Sequence, residues 1–290
     1  MRPDSSPSWL KFKSNNIENL LSVESRWQSW LDVEASMARS QSELKMIPQN
    51  AGNKIAKNCN LKKLNLKKIY RDLKITGHKL VPLIWELSRV CDQDSKKYVH
   101  WGGTTQNIVS NGDILILRKI HEIFLNDLSD LLKILSKLSL KTKNDLMSGR
   151  THGQHALPIT FGFKVACWID EISRHIERIK ESEPRVFKCI FGGAVGTSAS
   201  FGKYGNKLQK KISIKLGLNS SRIPTRSHLD HFAEYNLNII MLATTFGKIA
   251  QEIYNLMKNE VSELEEPITS EDVGSSTMPQ KRNPHICQDI

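Results

Sequence analysis

Residues 117–138 read LRKIHEIFLNDLSDLLKILSKL, and this stretch decides the fold. Its apolar residues recur at spacings of three and four, so that they line one side of an α-helix. Residues 161–179 and 242–256 repeat the pattern. Helices this long bury such stripes against other helices, which predicts a bundle. The stripe residues are Leu117, Ile120, Phe124, Leu128, Leu131, Leu135 and Leu138 in the first stretch, Phe161, Val165, Trp168, Ile172, Ile176 and Ile179 in the second, and Leu242, Phe246, Ile249, Ile253 and Leu256 in the third.

The rest of the chain also has helical patterns. Residues 17–45 are typical of an amphipathic helix, residues 61–75 of a short basic helix, and residues from about 79 to 90 of a third helix. No stretch has a convincing strand pattern. The sequence therefore predicts an all-α protein, with an N-terminal helical domain over residues 1–105 and a central long-helix bundle over residues 106–290.

Composition narrows the class of protein. The 290 residues include 42 basic and 30 acidic side chains, a net charge of +12 that favours anionic partners. The lysines are scattered rather than gathered on one face with aromatic residues, so no nucleic-acid partner is expected. Five cysteines lie far apart without CxxC spacing, which fits a reducing cytoplasm. No run of about 18 apolar residues exists, so the sequence predicts a soluble cytoplasmic protein with no membrane partner.

Polar residues that could carry chemistry concentrate in a few places. His152 and His155 are three residues apart but lack an HExxH pattern, so no metal site is expected. No GxSxG elbow indicates a serine hydrolase. The glycine-rich segment 191–202 lacks the GxGxxG order, which favours a close-packed backbone turn over a phosphate cradle. The four polar clusters span residues 76–79, 100–107, 149–155 and 274–284.

The last of these clusters reads GSSTMPQKRNP over residues 274–284. Glycine, serine and proline predict a loop, and on composition alone it is a solvated turn. Lys281 and Arg282 bring positive charge within a few residues of two serine hydroxyls. A mobile hydroxyl loop beside cations also suits an anionic substrate from which a proton is removed. Composition leaves both interpretations open.

Several motifs that occur in a fixed order distinguish the two interpretations of the loop at residues 274–284. The chain resembles the fumarase/aspartase superfamily, and within it the branch of adenylosuccinate lyase and 3-carboxy-cis,cis-muconate cycloisomerase. The resemblance covers nearly the whole chain and implies an L-aspartase-like helical fold. The matching motifs are HWGGTTQ at 100–106, GRTHGQHALPITFG at 149–162, GGAVGT at 192–197, EVSELEEP at 260–267 and the signature loop at 274–284.

The resemblance implies a lyase that needs no cofactor and eliminates from a succinyl-containing substrate, with release of fumarate. Ser275 matches the general base that removes the proton beside a carboxylate. Lys281 and Asn283 match the positions that stabilise the resulting aci-carboxylate. His152 matches the general acid region that serves the leaving group.

The resemblance also implies a site shared between chains. Family members assemble it from three subunits of a homotetramer, and the substrate is a small polycarboxylate. Besides Lys281 and Asn283, the positions implied for substrate binding are Thr104, Thr105, Gln106, Gln154, His78 and His100.

Some features depart from the family pattern. The chain stops at Ile290, whereas family members continue with further helices, so an incomplete bundle without the C-terminal domain is expected. Asn107 and Asn111 stand where close relatives usually carry aspartate, which removes negative charge behind the threonines that bind the carboxylate. Leu229 and His231 stand where this branch usually carries arginine, which weakens the case for a phosphate-bearing substrate. Two alternatives to the fumarate-releasing lyase stay open: a 3-carboxy-cis,cis-muconate cycloisomerase, and an inactive truncated homologue.

Overall fold

The computed structural model describes residues 17–225, 227–267 and 274–290. Its described residues form two compact units. The domain boundary predicted between residues 105 and 106 stays a prediction. The N-terminal unit lies within Asn16–Ile123 and Ser182–Phe232, and the C-terminal unit within Phe124–Glu181 and Ala233–Ile290.

Short helices dominate the first part of the N-terminal unit. Ser22 begins the longest of them by accepting a hydrogen bond from the N–H of Ser25 (3.1 Å), as N-caps do. The predicted helix at 17–45 is interrupted by a turn, and the basic helix begins at Leu66 after a 3₁₀ turn. In chain order these elements are α1 (Ile17–Leu20), α2 (Val23–Glu43), α3 (Gln49–Asn58), a 3₁₀ turn (Leu61–Lys63), α4 (Leu66–Thr76), α5 (Val81–Val90) and a 3₁₀ turn (Lys96–Tyr98).

The three long helices predicted from the apolar stripes are confirmed. They are α6 (Thr105–Lys141), α7 (Phe161–Val186) and α9 (Asp230–Leu256), and each runs through both units. Within the C-terminal unit the stripes supply buried residues, as amphipathic helices require. All-α architecture therefore holds for the bulk of the described chain. The buried stripe residues there are Leu128, Val165, Trp168, Ile172, Ile179, Leu242 and Leu256.

The expectation of no strands was wrong. β1 (Leu146–Thr151) and β2 (Gln154–Thr160) form an antiparallel hairpin in the C-terminal unit. His152 and Gly153 form its two-residue turn with φ of 52° and 74°, the positive values that a type I′ hairpin turn needs. The cluster at 149–155 thus lies on a hairpin.

The N-terminal unit is completed by elements after α7. Strand β3 (Lys188–Cys189) pairs in parallel with β4 (Asn219–Ser220), and α8 (Gly205–Leu216) lies between them in the chain after a 3₁₀ helix (Ala199–Tyr204). The short helix α10 (His285–Asp289) ends the C-terminal unit. Within the described part of the chain, none of the helices combines the length and apolar composition that spanning a bilayer requires.

Candidate active site

His100 opens the first candidate segment, in the N-terminal unit. Its Nδ1 lies 2.5 Å from Oε1 of Glu34, a carboxylate on α2 that is fully buried. Burial alone would lower the pKa of His100, but the hydrogen bond and charge of Glu34 together raise that pKa above its ordinary value. The stability that this pair contributes is therefore present below the ordinary histidine pKa and is lost as pH rises through the raised value.

The backbone after His100 is held on two sides. Gln41 on α2 donates from Nε2 to the carbonyl of Trp101 (2.7 Å), and Ser200 donates from Oγ to the carbonyl of Gly102 (2.8 Å). A Cβ at Gly103 would lie 3.0 Å from the His100 ring, so glycine lets the imidazole rest against this backbone. The segment leading into α6 is thereby fixed in place.

Thr104, Thr105 and Gln106 follow at the N-terminus of α6, and all three are half-buried. The first N–H groups of a long helix carry partial positive charge and favour carboxylates. Gln106 donates from Nε2 to Oγ of Ser110 (2.6 Å). Two hydroxyls beside a helix N-terminus form an arrangement that can bind a carboxylate.

Two buried asparagines fasten this helix start to the glycine-rich segment. Asn107 accepts the N–H of Gly193 on Oδ1 (3.0 Å). Asn111 accepts the N–H of Ile190 on Oδ1 (3.0 Å) and donates from Nδ2 to the Ile190 carbonyl (2.8 Å). A Cβ at Gly192 would lie 2.3 Å from the carbonyl of Pro224, which confirms the predicted close-packed backbone turn.

His78 has a structural contact in the same unit. Its Nδ1 accepts hydrogen bonds from the N–H groups of Leu80 (3.3 Å) and Val81 (3.1 Å) at the start of α5. The imidazole thus caps a helix N-terminus, and its predicted part in substrate binding stays a prediction.

The second candidate segment is the hairpin tip in the C-terminal unit. His152 and Gln154 both lie at the tip and are exposed. Two residues before His152, Arg150 binds both carboxylate oxygens of Glu263 at 2.9 and 2.6 Å. The Arg150 hydrogen bond lowers the pKa of Glu263, so the pair is charged at neutral pH. This pair anchors the strand that carries the predicted general acid.

The two ends of the signature loop are joined by a hydrogen bond. Asn283 donates from Nδ2 to the carbonyl of Gly274 (2.8 Å), which joins the two ends of the loop. Inside it, Oγ of Ser275 accepts the N–H groups of Thr277 (3.4 Å) and Met278 (3.1 Å). Lys281 is exposed at the same loop. The loop therefore presents a half-buried serine oxygen that faces backbone donors.

The acidic run after α9 has anchoring contacts that the sequence alone did not assign. Glu263 binds Arg150 of the hairpin, and Glu265 lies 3.1 Å from Arg282 of the signature loop. Glu266 accepts the N–H groups of Ile286 (3.1 Å) and Cys287 (2.8 Å), and so caps α10 just beyond the loop. One short acidic segment thus contacts both the hairpin and the end of the loop.

Arg150→Lys tests the anchoring of the hairpin. A lysine cannot make the two parallel hydrogen bonds to Glu263, so β1 and β2 should open more often. We expect amide exchange over residues 146–160 to become about two- to five-fold faster, the range for a partly exposed ion pair. Mass-spectrometric hydrogen exchange measures this rate. Arg174→Lys is the matched control, since Arg174 pairs with Asp170 on α7 in the same unit; equal exchange in both variants would contradict the anchoring role.

Comparison with known proteins decides the family of this chain. The family model described as "Lyase" matches residues 13–290. The chain belongs to this lyase family, within the fumarase/aspartase superfamily. The chain spans about 60% of the length of the curated relatives it matches.

Two curated relatives and one solved structure are similar to this lyase family member. N-acetyl-S-(2-succino)cysteine lyase of Dickeya dadantii is 39% identical over 273 residues, 94% of this chain and 60% of that protein. Adenylosuccinate lyase of Pyrococcus abyssi is 38% identical over 275 residues, 94% of this chain and 61% of that protein. The structure of 3-carboxy-cis,cis-muconate lactonizing enzyme from Pseudomonas putida matches with a TM-score of 0.86 and 30% identity, over 96% of this chain and 62% of that one.

The predicted site residues of this lyase family member fall in two groups. The structure places Thr104–Gln106 on one segment with His100, and Ser275 in one loop with Asn283. Among residues 17–225, 227–267 and 274–290, no group of three or more histidine, cysteine or acidic residues could hold a metal ion. Of the predicted site residues, the N-terminal unit contains His78, His100, Thr104, Thr105 and Gln106. The C-terminal unit contains His152, Gln154, Ser275, Lys281 and Asn283.

Proposed function

We propose that the protein is a lyase that eliminates a leaving group from a succinyl-containing substrate and releases fumarate. The observation that carries this proposal is the closed Gly274–Asn283 loop, with Ser275 facing backbone donors and a lysine at its edge. Two relatives named for succinyl compounds, at 39% and 38% identity, support the substrate class.

Ser275 is the proposed general base. A serine oxygen removes a carbon-bound proton only when its own charged form is stabilised, and the N–H groups of Thr277 and Met278 already point at that oxygen. Lys281 in the same loop adds positive charge for the aci-carboxylate that forms when the proton leaves. Asn283 keeps the loop closed and therefore keeps the serine and the lysine in one short segment.

His152 is the proposed general acid for the leaving group. Its place at the exposed end of a rigid two-residue turn lets its imidazole reach a substrate outside the hairpin. Gln154, which pairs with Thr151 across the turn, is proposed to contact the substrate beside it. Arg150 and Glu263 hold the strand that ends at this tip.

Thr104, Thr105 and Gln106 are proposed to bind a carboxylate of the substrate at the N-terminus of α6. His100 and His78 are proposed to contribute from the same unit. We further propose a homotetramer, supported by large apolar side chains that are exposed on the long helices. These include Ile134 and Leu140 on α6, and Leu237 and Ile240 on α9.

We infer that the leaving group carries no phosphate, and two residues support this. His231 is buried, and burial lowers its pKa, so it stays neutral at pH 7 and supplies no cation. Leu229 is exposed and apolar. We therefore propose a succinyl thioether or a simple succinyl amine over adenylosuccinate.

A substrate panel tests the proposal. The purified protein is given N-acetyl-S-(2-succino)cysteine, a succinyl amino acid, adenylosuccinate and 3-carboxy-cis,cis-muconate, and fumarate or lactone is measured. We expect fumarate from one of the first two at a rate at least about ten-fold above adenylosuccinate, since each missing cation that a phosphate needs costs about 1.4 kcal/mol or more. Lactone from the muconate as the main product would make the protein a cycloisomerase instead, the alternative that the Pseudomonas putida structure supports. Turnover of none of the four would refute the proposal.

A further inference from the structure

We infer that Glu34 is a positioning residue for substrate binding: it holds the His100 ring by Nδ1, so that Nε2, which carries a proton in the imidazolium form, contacts an anionic group of the substrate. This inference rests on the proposed function, in which that anionic group is a carboxylate of the succinyl compound. Glu34 itself has no exposed surface and acts only through the imidazole.

The position of Glu34 determines which ring nitrogen of His100 can contact a substrate. Oε1 of Glu34 lies 2.5 Å from Nδ1, so the two atoms are within hydrogen-bond distance. The His100 side chain keeps 21% of its surface exposed. Across the described residues, nothing hydrogen-bonds its Nε2. With Nδ1 occupied, Nε2 is the nitrogen that remains for a ligand.

The backbone at His100 points to a function rather than to packing. Its φ is 58°, a left-handed value that few residues other than glycine adopt. Such strain persists where the surroundings over-determine it, and it gathers at ligand sites. Here the surroundings are the Glu34 bond and the hydrogen bond from the Gly103 N–H to the His100 carbonyl (3.1 Å).

A contribution to folding stability does not by itself explain why a carboxylate is buried at position 34. Its Oε2 is buried and finds no hydrogen-bond partner among the described residues, which is unfavourable for a carboxylate. Buried ion pairs are often replaceable by apolar residues without loss of stability. Glu86, another buried glutamate of this unit, differs: it accepts the N–H of Asn65 on Oε1 (3.1 Å) and binds Arg89 with Oε2.

The charge of Glu34 also favours the charged form of His100. Among the described titratable groups, Glu34 is the one that raises the pKa of His100, against the opposing effect of burial. A protonated imidazole donates from both nitrogens, so the same contact that orients the ring also favours the form that carries a proton on Nε2. A cationic donor beside Thr104 and Thr105 complements a carboxylate.

Glu34→Gln tests the inference because glutamine keeps the shape and removes the charge. We expect KM for the succinyl substrate to rise about ten- to a hundred-fold, the usual effect of removing a group that orients a ligating side chain. The value of kcat should change far less, because the contact holds the substrate and the transition state alike. Glu86→Gln is the matched control, and its KM should stay at the wild-type value.

A double-mutant cycle separates positioning from general destabilisation. If Glu34 acts through His100, the double variant Glu34→Gln with His100→Asn should bind the substrate no worse than His100→Asn alone. Additive losses in the double variant would overturn the inference. So would an unchanged KM in Glu34→Gln.

Nitrogen NMR of His100 distinguishes failure of this inference from failure of the proposed function. In the substrate-free protein, a pH titration should show that the His100 ring loses its proton at a higher pH in the wild type than in Glu34→Gln, because the Glu34 carboxylate raises the pKa of His100. Titration with fumarate should shift the Nε2 signal of the wild type. A protein that shows these signals but releases no fumarate from any substrate would refute the proposed lyase alone. Identical His100 signals in both proteins would refute the role of Glu34, whatever the activity.

Discussion

Ser275→Ala is expected to lower kcat for fumarate release by about 10²–10⁴-fold, the usual contribution of a general base. The reason is local: Ser275 presents an oxygen that already accepts two backbone N–H groups, and alanine leaves no atom there to take the proton. KM should change much less, since the proton is removed only in the transition state. Steady-state kinetics with the preferred succinyl substrate measures both parameters.

Ser276→Ala provides the matched control. Ser276 is the next residue of the loop and is exposed. Its removal should change kcat by less than about two-fold, since exposed substitutions without special contacts alter free energies by about 0.5 kcal/mol. If both serine variants lost activity equally, the loop would matter as a whole and Ser275 would not be the base.

Asn111→Asp is expected to destabilise the protein by about 3 kcal/mol, the cost of a buried polar group that loses its partners. Asn111 is fully buried, and its Nδ2 donates to the carbonyls of Asn107 (2.6 Å) and Ile190 (2.8 Å). An aspartate oxygen in that place would face two carbonyl oxygens and could donate to neither as an ion. Urea unfolding at neutral pH measures the change in the free energy of unfolding.

Asn107→Asp is the matched control on the same helix. Asn107 uses its Oδ1 to accept the Gly193 N–H, and aspartate keeps that acceptor. Its position in the first turn of α6 also favours a negative charge. We expect the free energy of unfolding to change by less than about 1 kcal/mol in this variant. A loss as large as that of Asn111→Asp would show that charge alone, and not the donated hydrogen bonds, sets the cost.

The long helices could be predicted from the sequence because their apolar stripes are sustained over many turns. The hairpin at residues 146–160 could not, because β2 is mostly exposed, which removes the alternation that marks a half-buried strand. The turn residues His152 and Gly153 also lack the Asn-Gly pair that signals a tight hairpin.

The candidate site was predictable only in part. Motif order alone led to the proposal of Ser275, His152 and Thr104 as site residues, since local sequence carries that information. Their supporting partners did not, because the contacts join residues far apart in the chain. Glu34 and His100 are 66 residues apart, and Arg150 and Glu263 are 113 apart. Only the folded chain brings such pairs together.

Exchange of a substrate hydrogen with solvent tests the central claim most directly. The succinyl substrate is incubated with the protein in deuterium oxide, and proton NMR follows the hydrogen beside the carboxylate. Wild-type protein should exchange this hydrogen, His152→Gln should still exchange it while releasing fumarate slowly, and Ser275→Ala should leave it in place. Exchange in Ser275→Ala at the wild-type rate would contradict the assignment of Ser275 as the base.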